Sequence, residues 1–398
     1  MKKILVFAVL AMVMAFGISC SKQEQKKADV EKVVKQEAPR QGGAEAAPTV
    51  EAKDEVKAPD PVVPEIPVDP NTEYVVGKSI YTGWAPWWYI EESVIKAKWE
   101  ARCGIKIKFK QFDYVPSIQA YSNMSGDVHA CVMTNMDALA MPALGGVDSE
   151  VIIVGDYSNG NDGIVARQVS KVSELAGHKI YLVDGSVSIF LVYRALMMEG
   201  NGLKVSDLTF ENVTLDSQIQ NIYTSNPEVI AATWNPILMG IMGEPNSKML
   251  FDSSKIPGEI LDLMVVKANA PTALKKALVG MWYDAMADMT VQGPRRQETI
   301  LALARSQQNT LQEYQGQLNT TRMYYTPAEA VAFTKAPELI KVMDMIRAFY
   351  FDFGLLPGAT SKDQVGISFP DGTVLGDKDN VKLHFVTEYM QLAADGAL

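Results

Sequence analysis

An α/β fold of two lobes, each built on a mostly parallel sheet, is what this sequence predicts, and three observations predict it. Short apolar runs such as His129-Ala130-Cys131-Val132-Met133 alternate with helical stretches, as parallel strands buried between helix layers do. About ninety residues with their own complete alternation are bracketed by two extended segments, Gly163–Arg167 and Ile260–Val266, the pattern of an inserted lobe on a hinged double crossover. After Ala270 the rhythm turns helical. At 398 residues the chain has room for two cores, since single cores seldom grow beyond roughly 250–300 residues. Lobe 1 is therefore predicted over 73–166 and 262–398, and lobe 2 over 167–261.

The first twenty residues are not part of that fold. Lys2-Lys3, the apolar run Ile4 to Phe16 and Gly17-Ile18-Ser19-Cys20 have the three regions of a secretory signal, and the run is short for a membrane span. A Cys after small residues resembles the bacterial lipobox, with Gly17 where that motif usually has Leu, and predicts Cys20 as the lipidated first residue of an exported, membrane-anchored chain. Residues 21–72 are rich in Lys, Glu, Gln, Ala, Val and Pro and hold no aromatic residue, so they read as a disordered tether. As a coil it would reach about 40 Å.

The globular elements follow in order. Strand-like Tyr74–Val76 and Ser79–Tyr81 lead to Gly83-Trp84-Ala85-Pro86-Trp87-Trp88-Tyr89, which reads as a loop opened by Gly and stiffened by Pro that presents flat aromatic faces. Glu92 to Arg102 is a helix closed by Gly104. Ile105, Ile107 and Phe109 alternate with lysines, the period of a strand with one wet face. A helix from about Ser117 to Met124 precedes the His129–Met133 strand, and further strands are expected at Val151–Val154, Ile164–Ala166, Ile180–Val183, Val229–Ala232 and Met249–Phe251. Helices are expected over 272–289, 295–308, 327–333, 337–353 and, as a tail, 380–394.

Charge narrows the partners. A formal net charge of -10 argues against nucleic acid or an anionic membrane surface and suits a neutral or cationic small ligand. Besides Cys20 only Cys103 and Cys131 remain, too few for a disulfide scaffold or a structural zinc site, and they read as two buried free thiols.

Ligands of open α/β sheets sit beyond the carboxyl ends of the strands, so the strand ends are where a site belongs. They carry Trp84, Trp87 and Trp88; then Thr134, Asn135 and Asp137; then Asp156, Asn161 and Asp162; then Asp184, Ser186 and Ser188; and finally Trp234 and Asn235. Small polar groups beside aromatic walls describe a preformed polar pocket. Thr134, Asn135, Ser186 and Asn235 are equally good helix caps. The 156–162 stretch lacks the ladder of a calcium loop, and Arg167 reads as a rim or salt-bridge residue. His129, His178 and His384 are isolated, and neither a nucleophile elbow nor a phosphate-binding loop is present. No catalytic residue, metal or cofactor is expected, which favours a binding protein over an enzyme.

Signal, tether, two α/β lobes with a double crossover and a helical C-terminus together resemble the type II periplasmic solute-binding proteins of ABC importers, in their nitrate/taurine/sulfonate-type branch. More narrowly, Gly83-Trp84-Ala85-Pro86-Trp87, Met133-Thr134-Asn135-Met136-Asp137, Gly145-Gly146-Val147-Asp148-Ser149 and Gly155-Asp156-Tyr157-Ser158-Asn159-Gly160-Asn161-Asp162 are similar to the subfamily found with urea-carboxylase-type genes. Ser186-Val187-Ser188, Thr233-Trp234-Asn235-Pro236, Phe251–Asp262 and Phe369-Pro370-Asp371-Gly372 continue the likeness, which spans nearly all of 72–398. The sequence departs from that pattern around Asp184-Gly185 and Ile189-Phe190.

The resemblance implies a monomeric, lipid-anchored binder that passes a urea-like or guanidine-like solute to an ABC permease and its ATPase. An aminopyrimidine thiamine precursor, a nitrate- or sulfonate-type anion, or a sensory surface role are the alternatives it leaves. A thiamine pyrimidine synthase shares the fold, but its reactive His and cysteine-rich iron site have no counterpart here. On the resemblance, Trp84, Trp87, Trp88 and Trp234 would supply aromatic faces and Asp137, Asp156 and Asp162 the carboxylates.

Overall fold

The structure, a computed structural model, describes residues 65–183, 185–356 and 358–398. The signal segment, Cys20 and most of the tether lie outside the described residues, as does Asp184. Ile66 and Thr272 exchange hydrogen bonds of 2.7 and 3.2 Å, so the folded body begins before residue 72.

The chain enters a large sheet through β1 (Glu73–Lys78), runs through α1 (Pro86–Glu92) and α2 (Val94–Cys103) into β2 (Lys106–Gln111), and passes α3 (Tyr114–Ser122) into β3 (Val128–Thr134). A short α4 (Asn135–Ala138) leads to β4 (Ser149–Ser158). Residues 159–161 cross to a smaller sheet: β5 (Asp162–Ala166), β6 (Lys179–Val183), α5 (Ser188–Glu199), β7 (Thr209–Val213), α6 (Ser217–Ser225), β8 (Ile230–Trp234), α7 (Ile237–Met242) and β9 (Lys248–Asp252). Residues 253–260 return the chain to β10 (Leu261–Lys267). There follow α8 (Thr272–Thr290), α9 (Pro294–Ser306), α10 (Leu311–Leu318), β11 (Thr321–Met323), α11 (Pro327–Thr334), α12 (Pro337–Asp352), β12 (Gly366–Ser368), β13 (Val374–Leu375), β14 (Val381–Phe385) and α13 (Glu388–Ala394).

The large sheet has the order β13-β12-β14-β4-β10-β3-β1-β2, with β11 on β4, and the small one β7-β6-β8-β5-β9. In each, the strand arriving from the other lobe, β10 or β5, runs antiparallel to both neighbours. Residues 163–166, expected as an extended crossover, are thus a fully buried central strand of the small sheet. The true crossings are 159–161 and 253–260. Ser253 stitches them together: its Oγ lies 2.6 Å from Ser158 Oγ and accepts from Gly160 N at 2.8 Å and Asp162 N at 3.3 Å.

Two other expectations change. The stretch after Gly83 is a 3-10 turn followed by α1, with Pro86 at the first helical turn, where its missing N–H costs nothing. Residues 380–394 divide into β14 and α13, because Val381-Lys382-Leu383-His384-Phe385 alternates with period two and buries Leu383 and Phe385. As expected, Gly104 closes α2 in the left-handed conformation (φ 63°), and β2 buries Ile107 and Phe109 while its lysines face water. Cys131 is buried, Cys103 half-buried, and both are free thiols.

Candidate functional site

Strand register assembles the site. At one end of the large sheet, Asp262 of β10 lies opposite Thr134 of β3 on one side and Asp156 of β4 on the other. In the small sheet Asp162, the first residue of β5, lies opposite Trp234, the last of β8. These two ends face each other across the lobe seam and enclose a chamber of about 20 Å³, lined by Tyr81, Trp84, Tyr114, Thr134, Asp162, Val187, Trp234, Ile260 and Asp262. That is space for a solvent molecule or two.

The aromatic wall is a chain of rings. Trp84 stacks on Tyr114 (centroids 5.3 Å, 29°) and leans on Tyr81 (5.0 Å), while Tyr114 meets Trp234 of the other lobe edge-on at 5.7 Å. The Tyr114 hydroxyl donates to Asp137 Oδ2 and accepts from Thr134 N at 3.0 Å; Thr134 Oγ1 donates to the same Asp137 oxygen at 2.8 Å. Asp137 thus holds Tyr114 in place from behind the wall.

Carboxylates dominate the electrostatics. Asp137, Asp156, Asp162 and Asp262 are all buried, and no described residue lining the chamber is Lys or Arg. Burial is the main cause that pushes Asp137 up to about 6 and Asp156 and Asp162 up to about 7, with hydrogen bonds from Tyr114 and Thr134 pulling Asp137 back and the charge of Asp162 adding to the rise at Asp156. Asp262 lies well above the carboxylate range, through burial and then the charge of Asp156. Both Asp156 oxygens and Asp262 Oδ2 find no donor among the described residues, nor do Ser188 Oγ and Thr233 Oγ1 find partners. Buried polar groups in native proteins are rarely left so. A ligand bringing N–H donors, or a proton shared by Asp156 and Asp262, satisfies them.

Gly83 makes this packing possible. A Cβ there would sit 2.7 Å from Asp156 Oδ1, closer than side chains approach, so the backbone before Trp84 lies directly against that carboxylate.

Several residues expected at the site lie elsewhere or are already occupied. Trp87 is core, packed between Phe109 (5.9 Å) and Trp282 (5.2 Å), and Trp88 lies under Lys78 Nζ at 4.3 Å. Trp87 and Trp88 are successive residues of α1 and so point about 100° apart, Trp87 into the core beside α8 and Trp88 toward Lys78, while Trp84 precedes the helix on the 3-10 turn. Asn161 is saturated, its amide donating to Tyr81 and Thr321 and its carbonyl accepting from Asn235 at 2.6 Å and Thr320 at 2.6 Å. Asn235 also accepts from Met239 N, and Asn135 ties α4 to Glu259 O and Leu261 N. Ser186 Oγ donates to Val183 O. Arg167 donates to Tyr223 O at 2.8 Å near Glu244, away from the chamber.

Sequence reasoning missed Tyr81, Tyr114 and Asp262 as site residues. Only Asp262 carries a signal, a lone carboxylate inside the apolar run Ile260–Val266.

No protein-family model matches this chain, and no curated protein matches it. Solved structures are. The periplasmic aliphatic sulphonate binding protein SsuA from Escherichia coli superposes with a TM-score of 0.58 at 16% identity, over 72% of this chain and 94% of that one. The alkanesulfonate-binding protein SsuA from Xanthomonas axonopodis pv. citri, bound to MOPS, gives 0.57 at 15% identity, over 72% and 94%. The fold is that of a periplasmic binding protein. A Candida albicans gene product described as having the generic periplasmic binding protein structural fold matches at 0.52 and 11% identity, over 73% and 92%. In such a two-lobed fold the chamber between Trp84 and Trp234 lies in the interlobe cleft.

Proposed function

We propose that this protein is an exported binding protein that closes its lobes on a small, planar, N–H-rich solute of the urea or guanidine class and delivers it to an ABC permease. The observation that carries the reading is the chamber's composition: aromatic rings from both lobes around Asp162 and Asp262, with Asp156 against them and no cationic side chain in the lining. Carboxylates and ring faces attract cations and N–H edges, whereas ionised carboxylates repel an anion.

The export signal and the Cys20 anchor, if used, put the binder at the outer membrane face, as a monomer serving a permease and its ATPase. Titrating intrinsic Trp fluorescence with guanidinium, urea, amidines and aminopyrimidines, and separately with nitrate and alkanesulfonates, tests the reading. A response confined to the anions overturns it.

A further inference from the structure

On the outer side of Tyr114 a second and larger space opens along the lobe seam. Its volume is about 470 Å³, inside the roughly 300–1,000 Å³ range of small-molecule sites. The large lobe contributes Asp113, Tyr114 and Gln307 to its wall and the small lobe contributes Asp216 and Gln220, and no described lining residue is Lys or Arg.

The polar lining combines side-chain amides with the carboxyls of Asp113, Asp216 and Glu313. Gln307 is 3% exposed; its Nε2 donates to Ser306 Oγ at 3.2 Å, and its Oε1 finds no partner among the described residues. A buried amide oxygen in that state needs a donor from outside the chain. Asp216 caps α6 by accepting from Ser217 N at 2.8 Å. Its carboxyl is pushed up by burial and then by the charge of Asp113 from the other lobe, and none of the groups that shift it is cationic. Gln317, also buried in this wall, accepts from Thr82 Oγ1 at 2.8 Å, and Tyr114 lines both this space and the inner chamber, so the two adjoin.

We propose that this space is an outer subsite of the same cleft and takes the ammonium or amide end of a solute whose planar head occupies the inner chamber. The proposal rests on the reading above for the head and adds a substrate class: elongated, with a second N–H-bearing group. An ammonium between Asp113 and Asp216 bridges the lobes and replaces like-charge repulsion by two attractions. It thereby favours the closed form as well as the ligand.

The test is calorimetric titration of the full chain with guanidinium, butylguanidine and 4-aminobutylguanidine. Wild type, Gln307→Leu and Asp216→Asn are compared, the last retaining a good helix cap. We expect 4-aminobutylguanidine to bind at least tenfold more tightly than the other two, and either substitution to erase that advantage while guanidinium affinity stays unchanged. Equal affinities in wild type, or an advantage that survives both substitutions, overturn the subsite and leave the head assignment standing. Binding of 4-aminobutylguanidine alone, lost in Asp216→Asn, supports the subsite and overturns the head assignment. Binding of none of the three overturns both.

Discussion

Tyr114 and Trp84 stack with ring centroids 5.3 Å apart and planes 29° from parallel, so one face of the indole is covered by the protein itself. A ligand therefore meets a wall already built. Trp84 is also a core residue, 5% exposed, with its Nε1–H finding no partner among the described residues. Trp84→Ala should cost about 3–5 kcal/mol of stability, as large-to-small core changes do. Trp84→Phe keeps the stack, drops the stranded donor and should melt near wild type. Both should weaken guanidinium binding; thermal melts with calorimetry separate the two losses, and wild-type affinity in the Ala variant would remove Trp84 from the site.

Stability should fall as pH rises through the weakly acidic range. Asp156 and Asp162 stand near 7 in the folded chain and near 3.8 unfolded, chiefly through burial. The folded state therefore holds protons the unfolded one has released between about pH 4 and pH 7, and the ligand-free protein loses stability across that window, with Asp262, raised by burial and then by the charge of Asp156, adding to the loss. Denaturant titrations of the ligand-free protein at pH 5 and pH 8 check the sign.

Cation binding should run the other way. A guanidinium stabilises the ionised carboxylates, so its affinity should drop as pH falls below about 7, with proton uptake or release visible as a dependence of the calorimetric enthalpy on buffer. The groups facing Asp156 are Asp262 and Asp162, with Tyr81 also acting on Asp262. A pH-independent affinity from 5 to 8 would mean that a neutral ligand or another site is involved.

Asp156→Asn exchanges a buried carboxyl for a neutral group of similar shape. The variant should be more stable than wild type at pH 8 and should bind guanidinium at least tenfold more weakly. Unchanged stability at pH 8 would show that Asp156 is already neutral there.

Gly83→Ala drives a methyl group into Asp156. Overpacking of this kind costs about 1–3 kcal/mol. The shifted carboxylate should also lower ligand affinity, whereas loss of stability with full affinity would make Gly83 a packing residue only.

The strand rhythm was readable because alternation and apolar runs are local signals, and Trp84, Thr134, Asp162 and Trp234 of the named strand ends line the inner chamber. Trp87, Trp88 and Asn161 lie differently from expectation for reasons that are not local. Residue type and neighbourhood say that a side chain can bind, but helix phase decides whether it faces the cleft, and the partners that saturate Asn161 come from as far away as Thr321. Tyr81 and Tyr114 were invisible for the converse reason: each reads as an ordinary core aromatic until tertiary packing turns it onto Trp84.

Ser253 pins two chain passages side by side where they leave one sheet for the other. Two passages tied in this way favour a door-like opening about one axis over twisting or sliding, which would break these bonds. Points along the seam then open through arcs in proportion to their distance from the pins. A solute gripping far from that axis has the longer lever arm, so a weak hold there can latch a gate that a strong hold near the pins could only brace.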